Sequence, residues 1–151
     1  MDLRFIDPAH PLYPQELELR YQVLRAPLGM DRASVKFPFD AHSLHLVAVE
    51  GPPEAPEVVG CVLFHPEGAH TGRLFQMAVS PTRQRGGLGA RLVRHLEEAL
   101  RARGIQEVTM HARAHVAGFY GTLGYAVYGE PFVEVGIPHV HMRRRLDAAA
   151  P

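Results

Sequence analysis

Met77-Ala78-Val79-Ser80-Pro81-Thr82-Arg83-Gln84-Arg85-Gly86-Gly87-Leu88-Gly89 passes from an apolar run, through a polar turn, into three glycines that open an amphipathic segment. Beyond it, Leu88, Leu92, Val93, Leu96 and Leu100 recur at helical spacing, with Arg91, Arg94, Glu98 and Arg101 on the other side. That pattern predicts a strand, a loop and a helix, with Gly104 as the helix C-terminal cap. Glycines at a helix N-terminus let backbone N–H groups converge on an anion with no side chain in the way. The helix dipole adds about half a positive charge there, and Arg83 and Arg85 can add charge-assisted bonds to phosphate. The physical reading is a diphosphate cradle; the plain alternative is a tight turn.

The flanking sequence narrows the choice. A nucleoside-triphosphate loop needs Gly-Lys-Ser/Thr at the helix start, where this chain has Gly89-Ala90-Arg91. A dinucleotide turn sets its glycines directly after the strand, whereas five residues separate Val79 from Arg85. Upstream, Ser43 to Val49, Val58 to Phe64 and Gly72 to Val79 read as strands joined by Gly- and Pro-rich turns, an antiparallel meander. A first strand spans Leu3 to Ile6, and a helix beginning near Pro14 ends near Ala26, with Leu17, Tyr21 and Leu24 at near-helical spacing. Residues 27–42 read as a loop with one short helix. Downstream, Val108 and Met110 begin a fifth strand, His115 to Leu123 forms a short helix, and Tyr125–Val135 and Ile137–Met142 form a hairpin about Gly136. Arg143-Arg144-Arg145 reads as a solvated tail.

Composition bounds the function. The 151 residues suit one hydrophobic core, a domain over 1–146 and a short tail at 147–151. Sixteen basic and sixteen acidic residues cancel, so no overall field favours nucleic acid or an anionic membrane. Cys61 has no second cysteine to pair with and lies in an apolar run, as a buried small hydrophobe does. No apolar run reaches the ~20 residues needed to cross a bilayer, and the expected location is the cytoplasm. Of the ten histidines, His111 and His115 fall across a strand-to-helix boundary, and no Cys or carboxylate stands at a zinc-ligand spacing, so no metal is expected.

Two motifs together resemble the GNAT superfamily of N-acetyltransferases. Gln84, Gly87 and Gly89 match its Gln/Arg-x-x-Gly-x-Gly/Ala signature, and Phe119-Tyr120-Gly121-Thr122-Leu123-Gly124-Tyr125 matches its second, Phe-Tyr-x-x-x-Gly-Phe/Tyr. His111-Ala112-Arg113-Ala114-His115, Gly136-Ile137-Pro138-His139 and the early Arg20-Tyr21-Gln22-Val23-Leu24-Arg25 look like the ElaA-like branch. One departure is plain: many members carry Asn seven residues before the Tyr, and this chain has Arg113. The resemblance implies an α+β fold, a mixed and mostly antiparallel sheet of six to seven strands splayed between the fourth and fifth, with about four helices.

The resemblance also implies chemistry. Acetyl-CoA would serve as co-substrate, and its acetyl group would pass directly to a primary amine of a small molecule or peptide. Met77, Ala78 and Val79 would hold the acetyl carbonyl and pantetheine, an N–H at Met77 facing the oxyanion. Gln84, Arg85, Gly86, Gly87, Leu88, Gly89 and Ala90 would take the pyrophosphate, with His115, Phe119 and Tyr120 completing the cofactor site. Tyr120 is the candidate general acid for the leaving thiolate, since a phenol is protonated at neutral pH. For the base, Glu134, His139 and His141 lie on or near the last hairpin; His139 is the leading candidate, and a water chain would also serve. Residues 27–42, with Asp31, Arg32, Lys36 and Asp40, are expected to border the acceptor. Two readings compete: a non-catalytic acyl-CoA-binding regulatory module, and an interaction module pairing a partner strand with the open sheet edge. Homodimerisation through the last hairpin is left open by the sequence.

Overall fold

The computed structural model describes residues 1–146; the tail at 147–151 lies outside the described residues. The strands are β1 (Asp2–Ile6), β2 (Leu44–Glu50), β3 (Glu57–Pro66), β4 (Thr71–Val79), β5 (Glu107–Arg113), β6 (Ala126–Glu134) and β7 (Ile137–Arg145). They form one sheet in the order β1-β2-β3-β4-β5-β7-β6. Every neighbouring pair is antiparallel except β4 and β5. Helices α1 (Tyr13–Leu24), α2 (Leu88–Ala102) and α3 (Ala117–Thr122), with short 3-10 turns, cover the sheet.

The sheet has two clad faces. On one, Leu88, Leu92, Val93, Leu96 and Leu100 of α2 are all buried against Leu46, Val62 and Val108, as the helical spacing predicts. The helix ends where Gly104 takes φ 80, with the Ile105 N–H turned back onto Leu100 O at 3.0 Å. On the other face, α1 covers Val47, Val49, Cys61 and Leu63.

Three elements differ from the sequence reading. The residues that α1 buries include Glu16 and Arg20, while Leu17, Tyr21 and Leu24 are only half-buried. Segment 26–42 holds three 3-10 turns, Ala26–Leu28, Arg32–Val35 and Pro38–His42, rather than one short helix. The Arg143-Arg144-Arg145 run is no tail. It completes β7, where Arg144 Nη1 reaches the fully buried Glu97 at 2.7 Å and Arg143 stacks on Tyr128. Glu97 on α2 also accepts from the Tyr125 hydroxyl at 2.9 Å, so a carboxylate on the buried side of that helix is satisfied by distant strands.

The parallel pairing of β4 with β5 is short. Thr71 to Leu74 pair with Glu107 to Met110, and the register ends there. Just beyond, β4 bulges against β3: Phe75 faces Leu63, Ala78 faces Cys61, and Gln76 takes φ 52. A bulge bends its strand and raises the local twist. The ends of β4 and β5 therefore separate, and the cleft between them is the site.

Candidate active site

The cleft widens into a cavity of about 1050 Å³ that runs from the glycine loop to the last hairpin. At the first end, the turn Pro81–Arg83 leads from β4 into the loop. The loop is held from within: Gln84 Nε2 donates to Val79 O at 3.0 Å, and Arg83 Nε donates to Glu50 at 2.9 Å. Arg85 and Gly87 take positive φ, 68 and 79, which turns successive N–H groups to one side. The result is a cradle. The Arg91 N–H is the first to close a helical bond, on Gly87 O at 3.1 Å, so the N–H groups of Leu88, Gly89 and Ala90 in the first turn of α2 have no acceptor within the helix. A Cβ on Gly89 would come within 3.2 Å of Phe119, so the close approach of helix and ring there depends on glycine. Such a nest of unsatisfied donors at a helix N-terminus fits a diphosphate.

Of the residues expected to hold the cofactor, Met77, Val79, Gln84, Arg85, Gly87, Leu88, Gly89, Ala90, His115, Phe119 and Tyr120 all line the cavity. Ala78 and Gly86 do not: the Ala78 side chain packs into the core beneath α1. Arg83 lines the cavity, but its guanidinium is engaged by Glu50 rather than left for phosphate.

Tyr120 stands in the cavity wall, 6% exposed, with its ring edge-on to Phe119 at 5.0 Å. Its hydroxyl makes no hydrogen bond among the described residues, and burial raises its pKa, so the phenol is protonated across the neutral range. His139, 4% exposed, sits on the opposite wall. Its Nδ1 lies 2.8 Å from Ile137 O, which can only accept, so Nδ1 donates there and Nε2 is the nitrogen left for other partners. That Nε2 is 3.6 Å from Glu134, whose other oxygen accepts from His111 Nδ1 at 3.0 Å. Burial works against the Glu134 carboxylate, yet the His111 bond and the charges of His111, Arg73 and His139 hold its pKa below the ordinary range. His141 stacks on Phe132 and lies outside the cavity lining. The hairpin turns on Val135 and Gly136, φ 47 and 74; a β-branched residue in that region is strained, and Val135 lines the cavity.

The wall facing the cradle was largely missed by sequence reading. Segment 26–42 does border the cavity, but through Met30, Ser34, Phe37 and Phe39 rather than its charged residues. Phe37 and Phe39 stack at 5.1 Å and both meet Phe75. Arg32 is engaged by Glu18, and Asp40 is buried. Behind this wall lies a buried polar cluster. Arg20 Nη1 contacts Glu16 at 2.8 Å and Asp40 at 3.1 Å, and its Nε donates to the bulge residue Gln76 at 3.2 Å. Arg20 Nη2 donates to Val35 O. His45 Nδ1 meets Glu16 at 2.9 Å and its Nε2 meets Asp40 O at 2.7 Å, while the Tyr13 hydroxyl donates to Asp40 at 2.7 Å. Glu16, Arg20 and His45 are fully buried.

A sheet opened between its two parallel strands, with an anion cradle after one of them and a buried tyrosine in the cleft, defines an acyl-CoA-type transferase fold. A family model described as the acetyltransferase (GNAT) domain matches residues 30–146, and the chain belongs to that family. YitI, an uncharacterized N-acetyltransferase of Bacillus subtilis (strain 168), is 31% identical over 137 residues, 85% of this chain and 89% of that protein. A second Bacillus subtilis protein, with an acetyltransferase name, is 38% identical over 80 residues, 53% of this chain. The chain spans about half the length of that relative, 54%. Among solved structures, Escherichia coli ElaA shares the fold with a TM-score of 0.79 at 18% identity, covering 95% of this chain and 98% of ElaA. An aminoglycoside 6'-N-acetyltransferase complexed with coenzyme A does so with a TM-score of 0.79 at 19% identity, covering 100% of both. Among the described residues, no helix is long and apolar enough to cross a membrane, and no three His, Cys, Asp or Glu side chains are grouped to hold a metal.

Proposed function

We propose that this chain transfers the acetyl group of acetyl-CoA directly to a primary amine of a small molecule or peptide. The observation that carries the reading is the glycine loop and the open N–H groups of the first turn of α2, Leu88 to Ala90, at a cleft with Tyr120 in its wall. The cradle takes the pyrophosphate of the substrate, and the parted edge of β4 takes its pantetheine arm. An aminoglycoside acetyltransferase of the same fold was solved with coenzyme A, which supports a CoA thioester as the donor.

The chemistry follows from the positions of the side chains. The amine nitrogen attacks the thioester carbonyl carbon and forms the N–C bond. Negative charge gathers on the carbonyl oxygen, where the Met77 N–H, at the bulge and without a register partner on β3, donates to it. Such a donor contributes about 3 kcal/mol of transition-state stabilisation. The C–S bond then breaks, sulfur keeps the electron pair, and Tyr120 supplies its proton. Over the turnover the ammonium loses two protons. One leaves to solvent through His139 Nε2, and the other replaces the proton that Tyr120 gives to sulfur.

Calorimetric titration with acetyl-CoA, followed by an assay of amine-dependent CoA release, tests the proposal. Wild type should bind, and a folded Gly89→Glu variant, with a carboxylate in the cradle and Phe119 displaced, should not. A folded wild type that fails to bind, or a variant that binds equally, overturns the cradle. Binding without CoA release from any of a broad amine panel would favour the regulatory module.

A further inference from the structure

The glycine loop accounts for the CoA substrate; the same cavity also carries a charge that this account does not use. Arg25 at the end of α1, Arg73 on β4 and Arg113 at the end of β5 all line it, against a single carboxylate, Glu134. None of the three arginines forms an ion pair among the described residues. Arg25 Nη1 and Arg113 Nη2 both donate to one carbonyl, Leu24 O, at 3.2 and 2.8 Å. Two like charges are thereby held side by side. The Nε atoms of Arg25 and Arg73 are buried with no hydrogen-bond partner. Buried guanidinium donors are ordinarily satisfied, and leaving them unpaired is costly. Burial, and for Arg25 the neighbouring charge of Arg113, weakens the hold of Arg25 and Arg113 on their protons. Glu134 offsets part of the charge on Arg25, and an anion in the cavity beside Arg25 and Arg113 would offset the repulsion between these two.

We infer that the acceptor amine carries an anionic oxygen group, a carboxylate or a phosphate, bound by the cavity arginines Arg25, Arg73 and Arg113. Guanidinium forks suit both groups, since each presents paired oxygens to parallel N–H donors. The aromatic wall of Phe37, Phe39 and Phe75 takes the hydrocarbon between the anion and the amine. Arg113, where many relatives carry Asn, is then a specificity residue of this chain. The inference rests on the acetyltransferase reading for the word acceptor, but the anion site itself does not.

Two measurements separate the two claims. In the first, CoA release is followed with phenylalanine against phenylalaninamide, and with 2-aminoethyl phosphate against ethanolamine. At least one acid should exceed its neutral twin about ten-fold in kcat/KM, and Arg25→Gln or Arg113→Gln should erase the preference through KM. In the second, CoA-loaded protein, its cradle filled, is titrated calorimetrically with succinate and with inorganic phosphate. At least one should bind saturably, and a folded Arg25→Gln/Arg113→Gln double variant should lose it; the anion that binds names the group. If neither binds wild type, if binding survives in the double variant, or if neutral amines equal their acids in turnover, the inference falls. Anion binding that needs the arginines, with no turnover of any amine, keeps the site and sinks the transferase reading instead.

Discussion

Replacing Arg20 by methionine keeps the hydrocarbon of a fully buried side chain and removes its charge and five donors. The loss is not confined to one bond. Glu16 is left with His45 alone, Asp40 with Tyr13, and Gln76 Oε1 and Val35 O lose their donor. Removing one partner of a buried ion pair costs about 3–5 kcal/mol, because the other charge stays buried without compensation. Domains of this kind are stable by about 5–15 kcal/mol, so the variant should fold marginally. In urea, with a slope of about 1–3 kcal/mol/M, the midpoint should fall by ~2 M, read by far-ultraviolet circular dichroism. Adding Glu16→Gln to the variant removes one of the orphaned charges and should recover part of the loss, a non-additivity that simple cavity formation would not produce. Arg20→Lys, which keeps the charge without the fork, should fall between and serves if the methionine variant does not fold. An Arg20→Met stability within about 1 kcal/mol of wild type, or strictly additive costs in the double variant, would refute the reasoning.

Other outcomes follow from single observations. Both His45 nitrogens face acceptors, and although burial opposes the charge, Glu16 and Asp40 outweigh it and raise the pKa; a raised folded pKa stabilises fully below the ordinary value of about 6.5 and loses that contribution as pH rises through the folded value. The urea midpoint should therefore fall on the alkaline side more steeply in wild type than in His45→Gln, and parallel profiles would refute the assignment. A Cβ on Gly72 would lie 2.2 Å from Phe64 Cζ and 2.6 Å from the His65 carbonyl oxygen, a backbone atom. Gly72→Ala should cost about 3 kcal/mol or more, and a melting temperature within about 3 °C of wild type would contradict it. Tyr120→Phe should lower kcat about 10²-fold with acetyl-CoA affinity and melting temperature unchanged, since its hydroxyl bonds nothing among the described residues; unchanged kcat removes Tyr120 as the acid.

What the sequence made legible was local. The α2 stripe, its Gly104 cap and the glycine loop are each encoded within about one helix length, and all three are found where the spacing puts them. The meander of β2, β3 and β4 was equally readable, because each turn carries its own Gly or Pro signal. The failures share one cause. Arg20 meets Gln76 across 56 positions and Arg144 meets Glu97 across 47, so a periodicity argument that assigns charges to water has no means of seeing either. The same blindness sent Arg83 to a phosphate when Glu50, distant in sequence, was beside it.

The buried cluster also explains why the site could not be read from its own motif. The glycine loop is a local motif, and it does not encode the opening between β4 and β5. That opening depends on a bulge in β4, and a bulge leaves backbone groups and a strained Gln76 that something must hold. Arg20 holds its side chain and Cys61 Sγ donates to its carbonyl at 3.3 Å. Through Asp40 and Val35 the same guanidinium contacts the segment that sets Phe37 and Phe39 on the cavity wall. One buried cation thus links helix α1, the aromatic cavity wall and the bulge. A purely apolar residue at position 20 would pack against that face of the sheet but leave the bulge and the wall free to move independently. The charge on the inner face of α1, which costs desolvation and defeats the sequence pattern, is thus spent on contacts with the two elements that border the cleft.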